Sequence, residues 1–554
     1  MAARGAVLYF CVVEMANVNW MYNVSLIQFL GLFYDGIDNS PKAQLVKDRV
    51  NNIIDSMTYK VYRYINRGLF EVDKTTFKLM MCLRILIKEG GLTVADIGMF
   101  LKAGAAIDDR NKKFSWMEKK TWDNIVALSK HKFGLEQSMF FKGIVDCISR
   151  SNPEWRAFYE SDAPETDIVP DYEEKIHADA MGPFLHMCLI RCLREDRTVV
   201  ASNKFIGSVL NQEFVAPVSD PISEIWESSD TNKPVLYLLS TGADPTSQID
   251  EYSRKFKKFP TKKVSMGEEM EGPALDRIKD GFKTGDWVVL NNCHLSLEFM
   301  AEMENILNPK DVEVHEEFRL WITCSPDKNF PLGLLQMATK VTIEPPKGMR
   351  AGLSRTFSTM VNQDFLEKVE PYEKWRVLTY ATCFLHSVVQ ERRKFGPIGF
   401  SLPYEFNAAD LDASLLYLEK HLNQCASTNR RYEWEAMQNM ICSIQYGGKI
   451  TQELDRETFA TYGQQWIREE IFNGNFQFNQ QNLSDYNYLI PDFPDHASFM
   501  TFINAMPEQD NPLVFGLNPN ADLTARLNDS KMMISTLIDT QPTDSSGSGG
   551  KSPE

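Results

Sequence analysis

Asn291 and Asn292 end the apolar run Trp287-Val288-Val289-Leu290 and are followed by Cys293 and His294. In a nucleoside-triphosphate hydrolase of this layout two carboxylates stand there, holding Mg²⁺ and orienting the attacking water. An amide has the shape of a carboxylate, but it brings no charge to a metal and cannot take a proton as a base. A second shortfall lies upstream. After the apolar run Val235-Leu236-Tyr237-Leu238-Leu239-Ser240 comes Thr241-Gly242-Ala243-Asp244-Pro245-Thr246-Ser247-Gln248, then a helical pattern to about Lys257. Strand, Gly-containing turn and helix are the parts of a phosphate loop. That loop needs G-x-x-x-x-G-K-[ST], so that backbone N–H groups surround the phosphates and a Lys reaches their far side. Here Gly242 stands alone and there is no Lys. Asp244, read as the N-cap with Pro245 at the first helical position, puts negative charge where an anion would sit. Gly242, Asp244, Thr246, Asn291 and Asn292 thus outline a vestigial nucleotide site, with no catalytic residue, no bound cofactor and no metal ligand expected.

Two other constellations carry the residue types for chemistry. His294 as a base with Cys324 as a nucleophile has the composition of a thiol hydrolase, but neither lies in a recognisable catalytic motif, and both read as satisfied core positions. His186 with Cys188 and Cys192 invites a metal. The two cysteines share a helix face, His186 is off it and a fourth ligand is missing, so core packing is the expectation.

The elements that must position these residues follow from apolar patterning. Short apolar runs at 235–240, 287–290 and 319–326 read as strands buried on both faces. Lys262-Lys263-Val264-Ser265-Met266 adds another, followed by a helix from about Pro273 to Phe282. Lys340-Val341-Thr342-Ile343-Glu344 is the last, stopped by Pro345-Pro346, which cannot continue a ladder. Strands alternating with helices predict a doubly wound α/β module with five parallel strands, its crevice at their carboxyl ends. Flanking it, Phe77, Met80, Met81, Leu83, Leu86 and Ile87 recur at helical spacing up to a stop at Gly90-Gly91. Trp375, Leu378, Ala381, Leu385, Val388 and Val389 do the same, as do 411–422 and 434–444. The fold class is therefore α/β plus all-α.

Read in order, G-A-D-P at 242–245, W-V-V-L-N-N-C-H-L at 287–295, F-R-L-W-I-T at 318–323 and E-P-P-K-G-M-R-A-G-L at 344–353 resemble the sixth AAA+ module of dynein heavy chains. Arg393–Phe400, Pro403–Asn407, Tyr446–Thr451 and Phe515–Asp522 are similar to the segment beyond it, and Arg4–Phe10 with Met21–Leu26 to the end of the fifth module. The wording at 350–357 and 520–522 is most similar to axonemal outer-arm chains of the gamma type. The resemblance implies a degenerate AAA+ module flanked by helical lids. By it, residues 1–160 end the fifth module, 161–180 form an acidic linker, 181–346 are the sixth module and 347–480 its lid. Residues 481–538 then start a C-terminal region, and 539–554 are a flexible linker of Gly and Ser. It also implies a minus-end-directed microtubule motor of the cilium axoneme, in the cytoplasm and cytoskeleton. ATP and Mg²⁺ would act in upstream modules, with neighbouring AAA+ modules, dynein intermediate and light chains and microtubules as partners. The segment would close the ring and transmit force without hydrolysis. Both ends read as cut, which makes the chain a piece of a longer polypeptide. The alternatives are a self-standing P-loop-like ATPase and a stand-alone pseudo-ATPase adaptor.

Bulk properties fit three or four soluble domains in 554 residues, 43% hydrophobic and 24% charged. The net charge of −16 argues against nucleic-acid or anionic-membrane partners, since a phosphate-tracking face needs clustered Lys and Arg. The basic runs 255–258 and 392–394 read as solvated helix ends. Ten scattered cysteines suit reduced thiols. No run approaches the length of a membrane span. The apolar stretch Ala6–Val13 between Arg4 and Glu14 reads as a folded helix rather than a targeting signal.

Overall fold

The computed structural model describes residues 1–104, 114–216, 220–240, 243, 245–257, 260–308, 313–344, 347–479, 486–507 and 509–541. Two compact units are present. One comprises the described residues of Met1–Ser240, Asp244–Ile343 and Leu527–Glu554, the other those of Thr241–Ala243 and Glu344–Arg526.

The first unit holds the expected sheet: β1 (Val235–Leu239), β2 (Lys262–Ser265), β3 (Trp287–Asn291), β4 (Arg319–Cys324) and β5 (Thr339–Ile343). The spatial order is β2-β3-β4-β1-β5, with every pair parallel. The chain leaves β1 to build β2, β3 and β4 on one side, then crosses to β5 on the other. The strand order reverses at β1, which places the crevice at its carboxyl end. Alternate residues supply two buried faces. Val235, Tyr237, Trp287, Val289, Trp321 and Val341 pack with Ile225 and Ile249. Leu236, Leu238, Val288, Leu290, Leu320 and Ile322 join a larger core shared with the N-terminal helices. Burial on both sides explains why these strands read as unbroken apolar runs.

Those helices are α1 (Ala2–Val18), α2 (Leu26–Asp38), α3 (Val46–Arg67), α4 (Glu71–Glu89) and α5 (Val94–Lys102). Leu8, Cys11, Val12 and Met15 face inward along α1. Helix α4 stops at Gly90, whose left-handed φ of 80° suits a residue without Cβ. The helices seat directly on the sheet edge. Thr342 Oγ1 lies 2.9 Å from Arg67 O and 2.7 Å from Leu69 O. Gln28 Nε2 donates to Met337 O and Ala338 O at 3.1 Å each, and Trp20 Nε1 donates to Phe330 O at 2.8 Å. Lys340 of β5 is buried and donates to Asn23 O and Leu335 O.

The acidic stretch expected to be a linker is packed instead. Val169, Tyr172 and Ile176 are buried, and Glu173–Ala178 is helical. Buried Glu165 pairs with Arg197, with Nε at 2.9 Å, and Asp171 accepts from Trp155 Nε1 at 3.1 Å. Charge density suggested solvent, and a guanidinium further along the chain, with burial of the apolar residues between the charges, reversed it. Cys188 and Cys192 are core residues, 1% and 2% exposed. Burial pushes the Cys192 thiol up to about 12 and lowers His186 to about 4.

The second unit is helical. Trp375, Leu378, Leu385, Val388 and Val389 of the helix Tyr372–Glu391 share one core with Leu411, Leu418, Ile441 and Phe459. Tyr488, Phe499 and Ile503 belong to that core too, so the helical unit continues past 480, where the sequence had suggested a boundary. Polar residues around 473–487 masked that continuity. Met533, Ile534 and Leu537 of the helix Asn520–Asp539 pack in the core of the first unit. The chain from 542 on lies outside the described residues. Arg392 is 5% exposed, not solvated as its basic run had suggested. Lys255 does sit in solvent, paired with Glu251 at 2.7 Å, while Lys258 lies outside the described residues. Among the described residues no helix is long and apolar enough to cross a membrane.

Candidate functional site

Parallel pairing aligns the ends of β2, β3 and β4. Ser265 pairs with Asn291 in register, and Leu290 pairs with Ile322, which brings Thr323 opposite Asn291. The amides are tied into this edge. Thr323 Oγ1 donates to Asn291 Oδ1 at 3.1 Å. The Asn292 N–H donates to the same Thr323 Oγ1 at 3.2 Å, and Asn292 Nδ2 donates to Ser265 Oγ at 3.3 Å. The Asn291 carbonyl accepts from the Met266 N–H at 2.8 Å. Asn292 adopts a left-handed φ of 57°, tolerated best by Gly, Asn and Asp. The pair bridges three strands, so its first service is structural. Asn292→Gly is expected to stay within about 0.5 kcal/mol of wild type, whereas Asn292→Val should cost about 1–2 kcal/mol. Equal melting of the two variants would refute this.

Thr246 opens the helix Thr246–Lys257, whose Ile249 N–H donates to Pro245 O at 3.0 Å. Gly242 and Asp244 lie outside the described residues, so the capping role expected of Asp244 does too. The strand end and the helix start are thus both in place, on opposite ends of the connection that Gly242 and Asp244 complete. Ser240, the last described residue of the strand end, donates its N–H to Ile343 O at 3.1 Å.

The end of β3 does not fit Mg²⁺. Asn291 offers a neutral oxygen that already accepts the Thr323 hydroxyl, and no described carboxylate joins it. Among the described residues no group of His, Cys, Asp and Glu is placed to hold a metal. The thiol-hydrolase pair is also inert. His294 Nδ1 accepts from the Ser325 N–H at 3.3 Å, and burial pushes the Cys324 thiol up to about 12, away from the thiolate that would attack. Sequence reasoning passed over Thr323 and Ser265. The signal for Thr323 was one hydroxyl within Leu320-Trp321-Ile322-Thr323-Cys324, an apolar strand buried on both faces.

A parallel sheet that reverses order at β1, with a strand ending at Leu239 and a helix starting at Thr246 on either side of the phosphate-loop position, defines a P-loop-like α/β domain. An all-helical unit follows it in the chain. Comparison with known proteins makes the family definite. Residues 230–342 match the dynein heavy chain region D6 P-loop domain, and 375–521 match the dynein heavy chain AAA lid domain. Dynein axonemal heavy chain 8 of Mus musculus is 39% identical over 556 residues, covering 100% of this chain and 11% of that protein. The Dynein gamma chain, flagellar outer arm, of Chlamydomonas reinhardtii is 40% identical over 560 residues, covering 100% of this chain and 12% of that protein. The Dynein-1-beta heavy chain, flagellar inner arm I1 complex, of the same organism is 32% identical over 559 residues, covering 99% of this chain and 12% of that protein. The chain belongs to the dynein heavy chain family and spans about an eighth of the length of these relatives.

Proposed function

We propose that this segment is a non-hydrolysing, ring-closing and force-transmitting module in the motor ring of an axonemal dynein heavy chain. The observation that carries the reading is the amide pair: Asn291 and Asn292 stand where hydrolysis needs carboxylates, and they are bonded to Thr323 and Ser265. The absence of a Lys from the loop after Ser240 supports it, since a phosphate loop depends on that charge. ATP and Mg²⁺ then belong to modules outside this segment. The seating of Asn23, Arg67 and Leu69 on β5 through Lys340 and Thr342 supports transmission, because side chains bonded to backbone carbonyls of another element move with it as a body. The partners are the adjoining AAA+ modules and, through the whole heavy chain, dynein intermediate and light chains and microtubules. The place is the cytoskeleton of the cilium axoneme. The similarity to the gamma-type outer-arm chain favours an outer-arm assignment.

Calorimetry of the 554-residue chain with Mg-ATP and Mg-ADP tests the reading. No binding is expected up to about 1 mM nucleotide. Affinity near about 1 μM would overturn it and bring forward a self-standing ATPase.

A further inference from the structure

A cavity of about 420 Å³ opens beside the helix Glu453–Trp466, in the size range of small-molecule sites, about 300–1,000 Å³. Its charged wall is Arg392, one of the most enclosed cations of the helical unit at 5% exposure. Every hydrogen-bond acceptor of its guanidinium is neutral. Nε and Nη2 donate to Gly399 O at 2.9 and 2.5 Å, and Nη1 donates to the Tyr462 hydroxyl and to Phe515 O. The Phe400 and Tyr462 rings lie 4.9 and 5.6 Å away. Among the described residues no carboxylate pairs with it. Asp455, on the same helix as Tyr462, accepts instead from the Ser401 N–H at 3.0 Å and the Tyr404 hydroxyl at 2.9 Å. A buried guanidinium held only by neutral acceptors keeps an uncancelled charge in a medium that screens it poorly. Nη2 also retains one N–H beyond its bond to Gly399, by the donor count of the group.

The other walls suit an amphipathic guest. Thr458, Thr461 and Gln465 recur at helical spacing and line one side, with Trp466 beside them. Gly516, at φ 65°, also lines the cavity and brings no side chain to the wall beside the guanidinium; an added Cβ would lie 3.6 Å from the Tyr462 hydroxyl and 3.9 Å from Nη1. We propose that this cavity binds a small molecule joining one oxyanion, carboxylate or phosphate, to an apolar ring. The anion accepts from the remaining N–H of Arg392 Nη2, a charge-assisted bond, and the ring sits against Trp466.

The test is calorimetry of the full chain with benzoate and with phenyl phosphate, using inorganic phosphate as the ring-free probe. One-to-one binding of at least one aryl anion is expected, at least about tenfold tighter than inorganic phosphate; which aryl anion binds identifies the oxyanion. Thr461→Trp plugs the mouth from an exposed position and leaves Arg392 untouched, so it should weaken binding at least about tenfold. Arg392→Lys should weaken it as well; if that variant fails to fold, Thr461→Trp decides. The proposal is overturned by no saturable binding up to about 10 mM, by inorganic phosphate binding as tightly as the aryl anions, or by binding that Thr461→Trp leaves unchanged.

Discussion

Trp321→Ala is expected to destabilise the sheet unit by about 3–5 kcal/mol, the cost of emptying a large aromatic site that cannot collapse. Trp321 is fully enclosed in the middle of β4. Its ring stacks on Tyr237 at 6.0 Å and meets Trp287 at 5.3 Å, so one truncation unpacks three adjacent strands. Trp287 is itself flanked by Tyr252 and Phe256 of the helix that follows β1, and the loss would spread to that helix. Trp321→Phe keeps the contact with both rings and removes a buried indole N–H that has no partner, so its cost should be well under half as large. Urea unfolding followed by circular dichroism measures both. A Trp321→Ala loss below about 1 kcal/mol would mean that this face is not the core it is taken to be.

Lys340 should give stability an unusual pH dependence. It is 6% exposed, and burial lowers its ammonium to about 7. A neutral amine has two hydrogens, and Lys340 has two carbonyl acceptors, Asn23 O and Leu335 O; a third proton would find none among them. The sign follows from linkage. The unfolded chain binds this proton up to the ordinary Lys range, whereas the folded chain releases it near pH 7. Above that pH the unfolded state holds more protons, so stability rises with pH by up to about 1.4 kcal/mol per unit. Below it both states are protonated, and the contribution is flat. Buried thiols act with the opposite sign at higher pH; the Cys11 thiol, for one, is pushed up to about 12. The clean quantity is therefore the gap between wild type and Lys340→Met. Between pH 7 and 8.5 it should move by about 1.7 kcal/mol in favour of wild type. A gap that stays constant would show that Lys340 keeps its charge in the fold.

Strands buried on both faces are the most legible elements of this chain, because Val235–Leu239 and Trp287–Leu290 have no solvated side to interrupt the apolar run. The amide pair was legible for a different reason: residue type and position at a strand end decide whether charge is available, whatever the surroundings. The partners of that pair were not legible. Thr323 and Ser265 meet Asn291 and Asn292 only because β3 lies between β2 and β4, and chain order does not state neighbour order. The acidic stretch at 161–180 misled because its composition is that of a solvated segment, while Arg197, which neutralises Glu165, lies 32 residues further on. Arg392 misled in the same way, since a basic triplet says nothing of which member turns inward.

By itself the sequence determined the fold class, through local periodicity, and the family, through the resemblance of its motifs taken in order. Only the tertiary structure decided what the altered residues do instead. The amides join three strand ends, a lysine on β5 donates to the Asn23 carbonyl, and a guanidinium is enclosed without a counter-charge among the described residues. Each depends on groups distant in the chain being brought within about 3 Å, the reach of a hydrogen bond, and no local pattern of residues encodes that distance.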